Sequence, residues 1–462
     1  MRTLRSAATG LLVTVIATLA ACGGDTTAPT APQLAPGRAL LSLGLPDGAT
    51  ADTLLEGETV QLSASFTSPG KKVRTTTWTS SNAAAAAVSS QGLVSGIAGG
   101  TATIVATDGR SADSVRILVV SSSTAPSPAP SPAPTGLSAV FALMGNVPSV
   151  SAVEALGGAF ARYEQDFRTV GDQRWTSDGT YYDPANYYDR AMFNYVWWAR
   201  TGNATYLERA NTMAVGYRQN YLVARGYPLD PWWLMLDGVA LHYLVTGDAA
   251  SQAAIGKLAD RLAASGYVND IGNIAATENR DQARVLMAFV LANYVKAPSA
   301  AGNDWAARAR AALTKILSTQ STDGAYRFTG TGSNQCGYNK PFMVGILNDA
   351  MIRYHGLIEA DSRIAPAIKR SLDYMWANDW VSTSQAFVYL GGPCNGDGRT
   401  PSADLNNLIA SGFGFTYRQT GDATYRTRGD AVFAGGVYNG WLGSAKHFNQ
   451  AYTSSYRYLG YR

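Results

Sequence analysis

Six stretches after residue 136 together mix aromatic rings with short polar side chains. They hold Trp175, Tyr181, Tyr187 and Asp189; Trp232 and Trp233; Glu278, Asn279 and Arg280; Tyr338, Asn339 and Lys340; Asp404; and His447, Asn449, Tyr452 and Tyr456. Flat apolar faces beside fixed donors and acceptors suit sugars, which present C–H faces and a rim of hydroxyls. Hydrolysis between sugars needs two carboxyl groups, one protonated and one ionised. Glu278 reads as the acid, and Asp189 or Asp404 as base or nucleophile. Each also fits a plainer part, as a helix cap or a first-turn acid complementing the helix dipole. Asp237 and Asp349 fall deeper in their segments and read as ion-pair partners. Arg280, Asn339, His447 and Tyr456 support a different chemistry, β-elimination from a uronic acid. There Asn, Arg or His neutralises the substrate carboxylate, and Tyr, His or Lys removes the C5 proton.

These residues need elements to position them. From residue 137 the apolar period is helical, and Thr201-Gly202-Asn203, Thr246-Gly247-Asp248 and Thr420-Gly421-Asp422 repeat one signal. In each, Gly closes one helix and Asn or Asp caps the next. The pattern predicts twelve helices, at about 151–166, 184–201, 203–224, 230–246, 248–265, 278–296, 302–319, 339–358, 361–379, 402–419, 422–438 and 447–460. Links after even-numbered helices are short, and most others are long. Six hairpins around an axis would gather the long loops on one face, above the even-numbered helices as an inner ring. A solenoid of helix pairs fits the same rhythm. The domain resembles the six-hairpin (α/α)6 toroids of glycoside hydrolases and polysaccharide lyases, which implies a carbohydrate-active enzyme cleaving a polysaccharide. A hydrolase leads, a lyase is the alternative, and a non-catalytic glycan-binding or adhesion protein is the third reading.

The first 136 residues are different material. Of 13 Phe, 10 Trp and 25 Tyr, only Phe66 and Trp78 precede residue 137. Residues 39–120 alternate short β-branched runs with Gly, Ser and Asn turns, the pattern of an all-β sandwich. Trp78-Thr79-Ser80-Ser81-Asn82, Val88–Val94 and Gly99–Ile104 resemble a bacterial immunoglobulin-like group 2 domain, which implies a spacer or adhesion unit. Ala83–Ala87 reads as an extended loop tip. Residues 121–136 are a proline-rich, semi-rigid stalk.

At the N-terminus, Arg2 and Arg5 precede an apolar stretch, Gly10–Ala21, too short to span a membrane. Leu19-Ala20-Ala21-Cys22 resembles a bacterial lipobox. That implies residues 1–21 are a signal peptide, Cys22 is lipidated, and the protein is anchored at the outer membrane or cell surface. Residues 22–38 read as a disordered tether. In an oxidising compartment the remaining cysteines, Cys336 and Cys394, suggest one disulfide, with two free thiols the alternative.

The net charge is +4 and no basic tract occurs, which argues against a nucleic-acid partner. No Cys/His cluster has zinc spacing and no Asp-x-Asp-x-Asp-Gly loop occurs, so the reading invokes no metal or cofactor. The expected architecture is a small sandwich followed by a twelve-helix toroid over 137–462, acting on polysaccharide as a monomer.

Overall fold

The structure, a computed structural model, describes residues 40–44, 51–67, 75–120, 136–145, 147–329, 337–392 and 399–462. The signal peptide, Cys22, the tether, the proline-rich stalk and the Cys336–Cys394 pairing lie outside those residues.

Nine strands build the all-β domain: β1 Leu40–Gly44, β2 Ala51–Leu55, β3 Thr59–Gln61, β4 Ser63–Thr67, β5 Thr77–Ser80, β6 Ala86–Val88, β7 Leu93–Gly96, β8 Gly100–Thr107 and β9 Ala112–Val120. One sheet runs β2-β9-β8-β5, a second β3-β7-β6, and β1 pairs with β4. Alternation along β8 turns Ala102, Ile104 and Ala106 inward. Ala102 and Ile104 meet Leu54, Leu62, Val94, Val115 and Ile117 in one small core. Only Ala83 and Ala84 of the polyalanine form an exposed tip. Ala83–Ala85 make a turn tied to Asn82, Ala86 starts β6, and Ala85 and Ala86 are buried. A Cβ on Gly100 would come within 3.1 Å of the Ala85 methyl, so the site has no room for larger side chains.

The rest is mainly helical, with one short antiparallel pair of strands, Trp380–Val381 with Ala386–Phe387. The main helices are α1 Leu137–Met144, α2 Gly158–Asp178, α3 Arg190–Thr201, α4 Ala204–Tyr217, α5 Asp237–Thr246, α6 Ala249–Ala264 and α7 Asn279–Tyr294. There follow α8 Trp305–Ser318, α9 Pro341–Leu357, α10 Ile364–Asn378, α11 Ala410–Thr420, α12 Ala423–Asn439, α13 Ala445–Tyr452 and α14 Ser455–Tyr461. The inner ring is α3, α5, α7, α9, α11 and α13–α14. These are buried along most of their length, while each outer helix buries one face.

The repeated turn works as its residues dictate. Gly202, Gly247 and Gly421 take φ of 71°, 76° and 71°. Asn203, Asp248 and Asp422 each accept a hydrogen bond from the backbone two residues on, at 3.0, 3.1 and 2.9 Å. Among the described residues the ring closes where α2, near the start of the domain, packs on α13, near its end. Tyr163 and Tyr452 rings lie 4.7 Å apart, and the Tyr163 and Ser455 hydroxyls are bonded at 2.7 Å.

Several boundaries differ from the sequence reading, each for a local reason. The helix expected at 151–166 is broken by Gly157, at φ 70°, into Val150–Glu154 and α2, and α2 continues through the expected loop to Asp178. The helix expected from 230 begins at Asp237. Before it, Pro231–Trp233 form a separate 3-10 turn capped by Asp230. The last inner helix is split at Thr453-Ser454. The unexpected α1 packs on α3 and α5 from inside the ring, with its Met144 sulfur 2.9 Å from the Tyr456 hydroxyl.

Candidate active site

The connections from outer to inner helices all fall at one end of the ring. Among the described residues the exposed aromatics are Tyr181, Trp232, Tyr389, Tyr438 and Trp441, and all five lie in these loops or at their edge. Large apolar rings left in water on one face only mark a binding surface rather than scattered exposure.

One side of this rim unites several residues expected from the sequence. Trp232 carries the Arg280 guanidinium 4.8 Å from its ring. Glu278 precedes α7 but makes no capping bond. Its carboxylate is ion-paired to Lys340 and lies 3.5 Å from Arg280 Nη2. Glu278 is thus engaged by two cations at the edge of the Trp232 platform. One turn on, burial pushes the Asp281 carboxyl up to about 6, with Arg280 opposing and Glu278 adding to the rise.

A second charged group lies on the axis, below the rim. Asp237 from α5, Arg284 from α7, Asp349 and Arg353 from α9, and Arg457 from α14 line a cavity of about 40 Å³, room for a water molecule. Arg353 bonds the Asp237 carboxylate, and Arg457 Nη1 bonds both Asp349 oxygens at 3.0 and 2.7 Å. The ion pairs expected for Asp237 and Asp349 are therefore present. Arg284 Nε has no hydrogen-bond partner among the described residues.

Asp189 stands behind Asp237. It and Tyr188 are both left-handed, with φ of 60° and 65°, a conformation that non-glycine residues adopt at a cost. Its oxygens accept from Met192 N at 3.1 Å and Gly238 N at 3.0 Å. Burial, with the charge of Asp237 in addition, pushes the Asp189 carboxyl up to about 7. Burial opposes ionisation of Asp237 too, but Arg353, Arg457 and Arg284 outweigh it and hold that carboxyl below the usual range. The surroundings of these two carboxyls thus push their proton affinities in opposite directions.

A third group sits in the α13 sector. Gln450 Nε2 donates to Asp404 Oδ2 at 2.9 Å, and His447 Nε2 lies 3.8 Å from the same oxygen. His447 Nδ1 is bonded to Ser444 Oγ at 2.7 Å and its ring is 4.6 Å from Trp441. Burial holds the imidazole below its ordinary value, with Asp404 opposing.

Other expected residues are elsewhere. Tyr452 is buried in the ring closure, donating to the Tyr163 carbonyl at 3.0 Å, so it is no sugar platform. Asn449 is buried and holds the approach to α3 through the Tyr187 and Ala185 carbonyls, at 2.6 and 2.9 Å. Asn279 turns inward to Gln282 at 3.0 Å. Trp175 belongs to the outer helix α2 and packs against Ala191 and Met213 beneath Arg209. Trp233 and Tyr187 lean on one another, with centroids 5.0 Å apart, beside Tyr182 and Tyr221. Tyr338 is half-buried and paired through its backbone to Phe328, while Tyr181 is open to solvent. The elimination set is not brought together. Tyr456 is buried against Met144 and Met192, Asn339 donates to buried Asp379 at 2.6 Å, and His447 and Arg280 stand in different sectors. Helical period located these residues near helix starts but not the side of the helix each would occupy.

Sequence reasoning missed Arg284 and Arg353, Trp441, and the pairing of Asp189 with Asp237. The available signals were charges inside otherwise apolar inner helices and a tryptophan between Gly440 and Gly443.

Residues 49–119 match the family model of the bacterial Ig-like domain (group 2), and this segment lies within the sandwich. No curated protein matches the chain. Among solved structures it is similar to a glycosyl hydrolase family 88 protein from Bacteroides vulgatus, at 14% identity and a TM-score of 0.48, covering 65% of this chain and 100% of that one. It is also similar to the unsaturated glucuronyl hydrolase from Bacillus sp. GL1, at 14% identity and 0.42, covering 61% and 82%. A third is cellobiose 2-epimerase from Bacillus thermoamylovorans B4167, at 12% identity and 0.42, covering 54% and 74%.

Proposed function

We propose that the helical domain is a carbohydrate-active enzyme, a glycoside hydrolase, held at the cell surface by a lipid on Cys22 and acting as a monomer on external polysaccharide. The observation that carries this reading is the Asp189–Asp237 pair at the axis, beneath a rim of exposed aromatics. A little below neutral pH the pair holds about one proton, on Asp189. It can give that proton to a leaving glycosidic oxygen and recover one from attacking water, the two transfers hydrolysis needs. Asp237 lines the axial cavity, which has room for the attacking water, while Asp189 stores the proton behind it. Arg284, which lines the same cavity, offers donors to the reacting groups.

The test is to incubate the full chain with neutral and uronic polysaccharides. New reducing ends without ultraviolet absorbance support hydrolysis. Ends accompanied by absorbance from an unsaturated uronate would replace the reading with a lyase, and binding without either signal would leave a glycan-binding protein.

A further inference from the structure

Trp232 and Trp441 are the most exposed tryptophans of the described helical domain, at 53% and 59%. Trp232 precedes α5 and is covered on one side by Arg280 of α7; Trp441 precedes α13. In a ring ordered α3, α5, α7, α9, α11, α13, the α5–α7 sector faces the α11–α13 sector across the axis. The two indoles therefore stand on opposite sides of the mouth.

Each is a seated platform rather than a loose side chain. Trp441 lies on Gly443, where an added Cβ would come within 2.4 Å of the indole nitrogen, and beside His447. Each also has short polar groups at its edge: Arg280 with the Glu278–Lys340 pair on one side, His447 with Asp404 and Gln450 on the other. A ring for the sugar face and donors for its hydroxyls thus recur twice, with Asp237 between them.

Building on the hydrolase reading, we propose that Trp232 and Trp441 are the two ends of one glycan site crossing the mouth. The domain then grips a chain along its length over Asp237 and cuts internally, rather than removing single sugars from an end. Trp441 is a substrate-binding residue that determines the length of chain preferred.

The test uses the full chain, W232A and W441A on an array of neutral and uronic glycans in dimer and hexamer lengths, together with product sizing on the matching polymer. The expected result is tighter binding of a hexamer than its dimer, and a loss of about tenfold for that hexamer in each variant, the scale of one good aromatic contact. Early products should be of mixed length. Both indoles are exposed, so unchanged melting temperatures separate this effect from misfolding. Cleavage that yields only monomer or dimer, or that is indifferent to Trp441, overturns the crossing site while leaving the hydrolase reading intact. No binding to any hexamer and no cleavage overturn both.

Discussion

The Asp189 carboxylate accepts a hydrogen bond from Gly238 N at 3.0 Å, so the cap of one inner helix is clamped onto the first turn of the next, beside Asp237. Two carboxyls from separate parts of the chain are thereby fixed as neighbours, and their unequal surroundings make one hold a proton and the other give it up.

The clamp depends on the absence of a side chain at Gly238. A Cβ there would lie 2.5 Å from both Asp189 Oδ1 and the Ala191 methyl. Gly238→Ala should cost about 1–3 kcal/mol in denaturant unfolding. Its activity should fall further than the folded fraction explains, because the carboxyl pair is pushed apart.

Removing the cation that keeps Asp237 ionised should move the acid limb of the pH–rate profile. Arg353→Met raises the Asp237 carboxyl, so the ionised form appears only at higher pH and the limb shifts alkaline. Arg353→Lys, which keeps the charge, should shift it less. A buried charge left unpaired costs about 3–5 kcal/mol, so both variants need their folded fraction measured first.

Stability should decline as pH rises from about 4 to 7. Asp189 is pushed up to about 7, and Asp281 and Asp379 to about 6, mainly by burial in each case. Over that window the native state binds more protons than the unfolded chain, which makes the slope negative. Asp189→Asn cannot ionise and should flatten the decline in a series of denaturant melts, while leaving the contribution of the other two.

How much of this was legible beforehand differs by level. The Thr-Gly-Asx repeat carries its own turn chemistry, so the succession of helical hairpins and the gathered loops could be read from spacing, whereas α1, the break at Gly157 and the split between α13 and α14 could not. Glu278, Arg280, Lys340 and Trp232 were also found together, because helix-opening residues next to long loops share a face. Whether a ring points inward depends on packing between sectors distant in sequence. Tyr452, buried against Tyr163, and Asn449, reaching the Tyr187 carbonyl, could not be told from surface residues for that reason. The Asp189–Asp237 pair was hidden likewise, since neither carboxyl is unusual until α3 and α5 are laid side by side.

A buried pair elsewhere tests the packing independently of function. Arg200 and Glu164 are fully buried and bonded to one another between α3 and α2. Arg200→Met alone should cost about 3–5 kcal/mol, whereas pairing it with Glu164→Leu should recover most of that loss. A double-mutant cycle by chemical denaturation measures both.

The most direct measurement of the central claim is hydrolysis by the full chain and by Asp237→Asn, on the polysaccharide the wild type degrades, with binding measured alongside. The variant should bind with nearly unchanged affinity and lose at least about a hundredfold in kcat, the range of an acid–base group. An Asp237→Asn protein that binds, folds and still releases reducing ends at the wild-type rate would contradict the assignment.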